Sequence, residues 1–227
     1  MLSVHGGPAG TFTRTFTVGY TYYPLQALQA KRFFVLRPNP RGSGGYGWEH
    51  RSAITADWGG LDYEDVMAGV DHVIALGLAD PERLGVTGWS YGGFMTSLII
   101  TKTDRFKVAA PGAGMSNMIS FVGTTDIFGF IPGWFRGEPW ENREFYMERS
   151  AVFNIEKVTT PTLILFGKND ARVPVSQGYE FYRALQRRGV DVQLVLYPRS
   201  GHGVGEPRLV VDLMNRLLDF FVEKLNP

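Results

Sequence analysis

A serine flanked by glycines stands at an abrupt turn in the middle of the chain. The run Gly88-Trp89-Ser90-Tyr91-Gly92-Gly93 follows a strand-like stretch at 83–87 and leads into an apolar, helix-like stretch at 94–102. Such a sharp turn crowds the strand against the helix, and glycines two residues to either side of Ser90 remove the clash. The pattern predicts that Ser90 is an exposed nucleophile and that the next N–H, of Tyr91, binds an oxyanion. The alternative is an ordinary glycine-rich turn in which Ser90 caps the helix.

A serine nucleophile needs a base, because its hydroxyl is not nucleophilic at neutral pH. In hydrolases built on this kind of turn, an acid and then a histidine follow the serine along the chain. Of the four histidines, only His202 lies after Ser90, in a Ser-Gly-His-Gly stretch that follows the strand-like residues 192–198. We therefore predict that His202 is the general base; the alternative is a solvated loop histidine.

The acid is expected in the loop after the preceding strand. Residues 161–167 have the pattern of a buried strand, and Asp170 lies in the loop that follows. Its expected role is to orient the imidazole and to stabilise the imidazolium. Asp170 can also be a turn aspartate that bonds its own backbone, and Asp191 is a weaker competitor because it begins the next strand.

A second oxyanion donor is expected near the start of the chain. His5-Gly6-Gly7-Pro8 directly follows the short apolar stretch at 2–4. Gly7 lets the backbone approach a substrate oxygen closely, so its N–H and that of Tyr91 would form a two-donor oxyanion hole. We expect His5 to be structural.

Taken together, these stretches resemble the prolyl oligopeptidase family of serine peptidases, and within it the catalytic domain of acylaminoacyl peptidases. The matching stretches follow the family order along nearly the whole chain: HGGP at 5–8, NPRGSGGYG at 39–47, DWGGLDYEDV at 57–66, GWSYGG at 88–93, NDARVP at 169–174 and SGHG at 200–203. The resemblance implies Ser90, Asp170 and His202 as a catalytic triad. It also implies that Arg172 holds a substrate carbonyl; the alternative is a surface arginine.

The order of elements is that of an α/β protein. Strands are predicted near 2–5, 33–37, 83–88, 107–111, 161–167 and 191–197, and helices near 24–31, 62–77, 91–103, 176–188 and 206–224. Their alternation predicts a mostly parallel sheet with helices on both faces. The resemblance identifies it as the α/β-hydrolase fold without its first two strands and without the β-propeller usual in the family. We expect one catalytic domain over 1–227.

An aromatic-rich insertion is predicted at about 115–150. In the α/β-hydrolase fold such a segment lies over the nucleophile, and its aromatic density suggests a cap around an apolar acyl pocket. Phe121, Trp134 and Phe135 are the predicted substrate contacts. The alternative is that these side chains pack the cap helices onto the body.

The composition narrows the function classes. A net charge of +1 argues against nucleic-acid and membrane-surface binding, and no apolar run is long enough to span a membrane. The chain has no cysteine, which excludes thiol catalysis and is compatible with the cytoplasm. We expect neither a cofactor nor a metal, because the histidines are scattered.

The predicted strand at 33–37 raises the question of assembly. Without the first two strands of the fold, Phe33–Leu36 becomes an edge that carries none of the lysines or prolines that protect natural edges. Residues 11–22 alternate threonine with apolar side chains, as a β-strand does, although an irregular segment is the alternative. This segment is the best candidate to pair with the edge, either by folding back or by crossing to a second subunit. We therefore predict a homo-oligomer, most simply a dimer; the alternative is a chain that is poorly soluble alone.

The sequence therefore predicts a serine hydrolase that acts through a covalent acyl-enzyme. Its substrate is expected to be a small acyl ester or a short blocked peptide, as in acylaminoacyl peptidases. The alternatives are a carboxylesterase with little peptidase activity and a non-catalytic fragment or interaction module that keeps the fold.

Overall fold

The centre of the fold is one parallel sheet, in a computed structural model that describes residues 1–15 and 23–225. Its strands lie side by side in chain order: β1 (Leu2–Val4), β2 (Leu84–Trp89), β3 (Phe106–Gly112), β4 (Thr162–Gly167) and β5 (Val192–Tyr197). Every neighbouring pair is parallel. Each residue of β2 and β4 is buried, which is why both strands read as continuous apolar runs. The predicted parallel α/β architecture is confirmed.

Helices cover both faces of this sheet. They are α1 (Leu25–Ala30), α2 (Trp48–Ser52), α3 (Leu61–Ala75), α4 (Tyr91–Lys102), α5 (Met118–Val122), α6 (Phe130–Phe135), α7 (Arg143–Glu148), α8 (Ser176–Arg187) and α9 (Pro207–Leu225). A Cβ on Gly85 would meet Phe221 of α9, whereas a Cβ on Gly88 would meet Gly92 of α4. Residues 85 and 88 point to opposite faces of β2, so α4 and α9 lie on opposite sides.

The prediction of a strand over 33–37 is wrong in its length. Among residues 1–15 and 23–225, Leu36 alone of this stretch pairs, through a single parallel bridge to Leu2. Two backbone bonds of 2.9 Å make this bridge, from Ser3 N–H to Leu36 O and from Leu36 N–H to Met1 O. Because β1 is only three residues long, it offers too few backbone hydrogen-bonding groups for a longer neighbouring strand. The position at the outer edge of the sheet is as expected.

The alternating segment at 11–22 lies partly outside the described residues. Residues 11–15 form no strand, and residues 16–22 fall outside. Thr11 Oγ1 donates to Gly44 O at 2.7 Å, and Phe12 N–H donates to Asn39 Oδ1 at 2.8 Å. The described part of the segment is therefore irregular and tied to the 39–47 loop.

The insertion between β3 and β4 contains three short helices, α5, α6 and α7. All three begin beyond the carboxyl end of β3, on the same edge of the sheet as Ser90. Among the described residues, no helix has the length and apolar character that crossing a bilayer requires.

Candidate active site

Ser90 forms the tip of a tight turn between β2 and α4. Its backbone lies at φ 61° and ψ −119°, a region that side chains rarely adopt, and its N–H donates to Gly112 O at 2.9 Å. A Cβ on Gly88 would clash with the backbone of Gly92, and a Cβ on Gly92 would clash with the carbonyl of Val4. Only glycine at both positions allows the strand, the turn and the helix to approach this closely.

The Ser90 side chain does not cap the helix. Although Ser90 occupies the N-cap position of α4, its hydroxyl makes no capping bond. Its Oγ lies 2.9 Å from His202 Nε2, a contact between residues 112 positions apart in the chain. The helix-cap interpretation of the motif is therefore excluded, and the serine faces a base.

Asp170 completes a three-residue chain of hydrogen bonds. His202 Nδ1 lies 2.9 Å from Asp170 Oδ2, and the other carboxylate oxygen accepts the N–H groups of Arg172 at 3.0 Å and Val173 at 2.9 Å. The carboxylate is fully buried, with 0% of its side chain exposed. The competitor, Asp191, is half exposed and pairs with Lys224 Nζ at 2.9 Å. The geometry thus brings Asp170, and not Asp191, to His202.

The histidine loop is held from the serine turn itself. Trp89 Nε1 donates to the backbone carbonyl of His202 at 2.8 Å, and Asn169 N–H donates to Ser200 O at 2.9 Å. Sequence reasoning missed this role of Trp89, because any residue is allowed at that position of the motif. The two bonds connect the serine, acid and histidine loops into one unit.

The glycine loop near the start of the chain passes beside Ser90. A Cβ on Gly6 would lie 3.5 Å from Ser90 Cβ and 3.3 Å from Trp89 O, so the loop is in direct contact with the serine turn. Gly7, at φ 139°, is exposed. Tyr91 begins α4, so its N–H has no acceptor within the helix. The Tyr91 N–H, directly after Ser90, is thus left without an acceptor inside its helix, and the glycine loop lies next to the same serine.

His5 anchors the glycine loop, and both nitrogens of its ring have partners other than Ser90 and His202. Its ring nitrogens lie 2.8 Å from Gly6 O and 2.9 Å from Ser43 Oγ, and Ser43 is fully buried. Burial lowers the pKa of His5, which favours the neutral ring. These contacts fit the structural role expected for this histidine.

A buried carboxyl contacts the residue after the nucleophile. Tyr91 Oη donates a short hydrogen bond to Asp62 Oδ2, and Asp62 has no exposed surface. Burial is the largest cause that raises the pKa of Asp62, to about 6, and also raises the pKa of Tyr91 well above its usual value. Sequence reasoning missed this pair, although Asp62 lies in the quoted 57–66 stretch.

Arg172 lies on the acid loop and is half exposed. Its Nε donates to Asp126 Oδ1 at 2.6 Å, and its Nη2 lies 3.4 Å from the other carboxylate oxygen. Asp126 belongs to the insertion, and its N–H donates to Ala171 O at 3.0 Å. The arginine therefore sits beside the triad, where the insertion meets the acid loop.

Two of the predicted substrate-binding aromatics need correction. Phe121 and Phe135 have 0% exposure, and Phe135 packs edge-on against Trp58 and Phe145 with centroids 5.8 and 5.1 Å away. A fully buried ring presents no surface to a substrate, so both rings hold the insertion to the body. Trp134 is only partly buried and also packs against Trp58, at 5.7 Å. Aromatic composition alone does not separate core rings from pocket walls.

A cavity of about 240 Å³ lies away from this site. Its lining includes Met1, Phe34, Leu84 and Leu225, and none of the residues around Ser90. Residues 1 and 84 are at the amino ends of their strands, whereas Ser90 follows the carboxyl end of β2. In parallel α/β sheets the functional loops gather at the carboxyl ends, so the cavity does not mark the candidate site.

Comparisons with known proteins agree with this geometry. The sequence profile of the Prolyl oligopeptidase family matches residues 20–227. Over 231 residues the chain is 40% identical to the uncharacterized peptidase YuxL of Bacillus subtilis (strain 168). It is 35% identical over 218 residues to the acylamino-acid-releasing enzyme of Arabidopsis thaliana. The crystal structure of Pyrococcus horikoshii acylaminoacyl peptidase superposes with a TM-score of 0.92 at 30% identity.

The chain corresponds to only part of each of these proteins. The matches cover 99% of this chain and 34% of the Bacillus peptidase, and 90% of this chain and 27% of the Arabidopsis enzyme. For the Pyrococcus structure the shares are 99% and 37%. The chain thus spans about a third of the length of the relatives that it matches.

Proposed function

The chain belongs to the prolyl oligopeptidase family, and on that premise we propose that it is the catalytic domain of an acylaminoacyl-peptidase-like serine hydrolase. Its substrates would be short blocked peptides and small acyl esters. The observation that carries the proposal is the chain of hydrogen bonds from Ser90 through His202 to Asp170, with both distances at 2.9 Å. We further take residues 1–227 as one catalytic domain.

In the first half-reaction, Ser90 Oγ attacks the acyl carbon. Its proton passes to His202 Nε2 as the new carbon–oxygen bond forms. Asp170 stays ionised, accepts the Nδ1 proton in a hydrogen bond and stabilises the imidazolium. The buried carboxylate, held by two backbone N–H groups, keeps the ring in the required tautomer and orientation.

The carbonyl oxygen becomes an oxyanion in the tetrahedral intermediate. We assign the N–H groups of Tyr91 and Gly7 as its donors. The intermediate collapses when His202 returns the proton to the departing amine or alkoxide, which leaves an acyl-Ser90 ester. Water then attacks that ester with the same base, and the acid product leaves.

Arg172 is the proposed anchor for a second substrate carbonyl. A guanidinium has five N–H donors, and the two contacts with Asp126 use two of them. Trp134 is the one predicted aromatic contact that keeps exposed surface and is retained as a candidate wall of the acyl pocket.

Labelling with an active-site fluorophosphonate tests the proposal. We expect one label per chain, on Ser90, and no label on Ser90→Ala, whose kcat should fall by about a million-fold. Modification of a different residue would transfer the nucleophile role. A chain that takes no label and turns over no substrate would instead favour the non-catalytic interaction module.

Substrate preference separates the peptidase from the esterase alternative. Turnover of an acetylated amino-acid anilide is compared with that of a p-nitrophenyl ester. Esters are intrinsically easier, because an alkoxide or phenoxide leaves more readily than an amine. Measurable anilide hydrolysis that disappears in Ser90→Ala supports the peptidase; ester turnover alone would identify a carboxylesterase.

Assembly through the sheet edge is a separate proposal. Within the described residues, the edge next to β1 pairs only at Leu36, and Phe34 keeps 39% of its surface exposed. A short edge with exposed apolar side chains favours strand addition by a second copy, so we propose a homodimer. Light scattering at micromolar concentration tests it, and a monodisperse monomer would refute it. The cytoplasmic location stays a prediction that cell fractionation checks.

A further inference from the structure

Asp62 is a buried carboxyl outside the triad, near the start of α3. Its Oδ1 accepts the N–H of Tyr63 at 2.9 Å, and its Oδ2 accepts the hydroxyl of Tyr91. Burial of a carboxyl is costly, and an apolar side chain of similar size would fill the position at lower cost. The carboxyl at this position therefore points to a role in local geometry.

Tyr91 is held at both ends of its side chain. Its ring packs edge-on against Trp58, with centroids 5.1 Å apart and planes at 82°, and lies 5.8 Å from Phe94. These apolar contacts restrict the tilt of the ring. They do not fix how far the ring extends along the line from Cβ to the hydroxyl. The bond to Asp62 supplies that missing restraint at the hydroxyl end.

The restraint acts on a strained piece of backbone. The peptide between Ser90 and Tyr91 carries the assigned oxyanion donor, and Ser90 has a positive φ of 61°. Such a conformation is strained and persists only where the surroundings hold it in place. The bond from Ser90 N–H to Gly112 O holds the preceding peptide, and the bond from Phe94 N–H to Ser90 O at 2.9 Å holds the carbonyl of this one. The Tyr91 side chain is the fixed point next to its N–H.

We propose that Asp62 is a positioning residue for the oxyanion hole: by binding the Tyr91 hydroxyl, it holds the Ser90–Tyr91 peptide where the Tyr91 N–H meets the developing oxyanion. The inference rests on the proposed function, because an oxyanion forms only if Ser90 attacks an acyl carbon. Asp62 itself touches neither the substrate nor the reacting atoms.

The test is kinetic and uses the full chain. Tyr91→Phe keeps the ring and removes only the hydroxyl, so we expect kcat on the p-nitrophenyl ester to fall about 10- to 100-fold with KM nearly unchanged. This is less than the loss of a whole oxyanion donor, about 100- to 1,000-fold. Asp62→Ala should match Tyr91→Phe, and the double variant should lose little more. Asp62→Asn keeps an acceptor oxygen and should restore most of kcat.

Two further readouts separate positioning from loss of folding. A phenylboronic acid forms a tetrahedral adduct with the serine, and its affinity should fall by the same factor as kcat/KM. The final amount of fluorophosphonate label counts intact sites and should stay near one per chain. Tyr197→Phe is the control: it removes the 3.2 Å bond from a buried tyrosine to Asp212, whose side chain is 42% exposed, and should leave kcat unchanged.

The possible results distinguish failure of the positioning role from failure of the proposed function. If the wild type is active and Tyr91→Phe has the same kcat and boronic-acid affinity as the wild type, the positioning role alone is overturned. A fall in kcat that only follows the labelled fraction also overturns it, since that pattern is loss of folded protein. A wild type that takes no label overturns the proposed function itself. If Asp62→Ala does not fold, the Tyr91→Phe result decides.

Discussion

The indole Nε1 of Trp89 donates a hydrogen bond of 2.8 Å to the backbone carbonyl of His202. The residue immediately before the proposed nucleophile thus holds the loop that carries the proposed base. The serine, histidine and acid loops are therefore not placed independently of one another. Loss of this bond should affect kcat more than it affects the free energy of unfolding.

Trp89→Phe tests that bond. The phenyl ring fills most of the indole volume but donates no hydrogen bond, so the His202 loop loses an anchor of about 1 kcal/mol. We expect kcat on the ester to fall about five- to tenfold, with little change in KM. Trp140→Phe is the control, since Trp140 is 78% exposed; equal losses in the two variants would contradict the anchoring role.

Asp170→Asn should keep the fold and lower kcat by up to about 10,000-fold. The amide no longer fixes the tautomer in which His202 accepts the Ser90 proton. Asp191→Asn is the comparison, because its ion pair with Lys224 is exposed and remote from the histidine. Steady-state turnover of both variants decides, and the reverse ranking would transfer the acid role to Asp191.

Gly92→Ala should damage both the turn and the fold. The added methyl group meets backbone atoms of Val4 and His5, which cannot move aside as a flexible side chain would. We expect a destabilisation of about 1–3 kcal/mol and a loss of ester turnover. Gly205→Ala is the matched control, since a Cβ there has no neighbour within 4 Å. Urea unfolding and kcat for the pair check the prediction; a fully active Gly92→Ala would disprove the close approach.

The ionisation of Asp62 should make stability depend on pH. Burial is the largest cause that raises the pKa of Asp62 from 3.8 to about 6, with a smaller contribution from Asp57. The folded state therefore binds this proton more tightly than the unfolded chain, so ionisation costs stability as pH rises from about 4 to about 6. The difference corresponds to roughly 3 kcal/mol.

Asp62→Asn removes that cost. The free energy of unfolding of the variant, minus that of the wild type, should rise by up to about 3 kcal/mol between pH 4 and pH 7. Other carboxyl groups titrate in both proteins and cancel in the difference. Parallel pH profiles from urea titrations would show that Asp62 does not titrate in this range.

Features fixed by local chemistry were predictable from the sequence. The glycines around Ser90 are required by backbone clashes within a few residues, and β2 and β4 appear as continuous apolar runs because both faces are buried. Chain order and loop position then select His202 and Asp170 without knowledge of the packing.

Features that depend on contacts between residues far apart in the chain were not predictable from the sequence. Phe121 and Phe135 have the composition of pocket walls, and only the packing around Trp58 shows that they are core. Residues 33–37 have strand composition, but β1 is too short to pair with them beyond Leu36. The partnership of Asp62 with Tyr91 joins residues 29 positions apart and leaves no local pattern.

The contact between Ser90 and His202 spans 112 residues and three crossovers of the sheet. No hairpin or local unit contains both groups, so the proposed hydrolysis needs β5 in place in the sheet and the loop beyond it beside Ser90. During synthesis Ser90 is therefore made long before His202, and on the proposed mechanism a chain that stops short of His202 has no base. Turnover would then report that the two distant parts of the chain have come together.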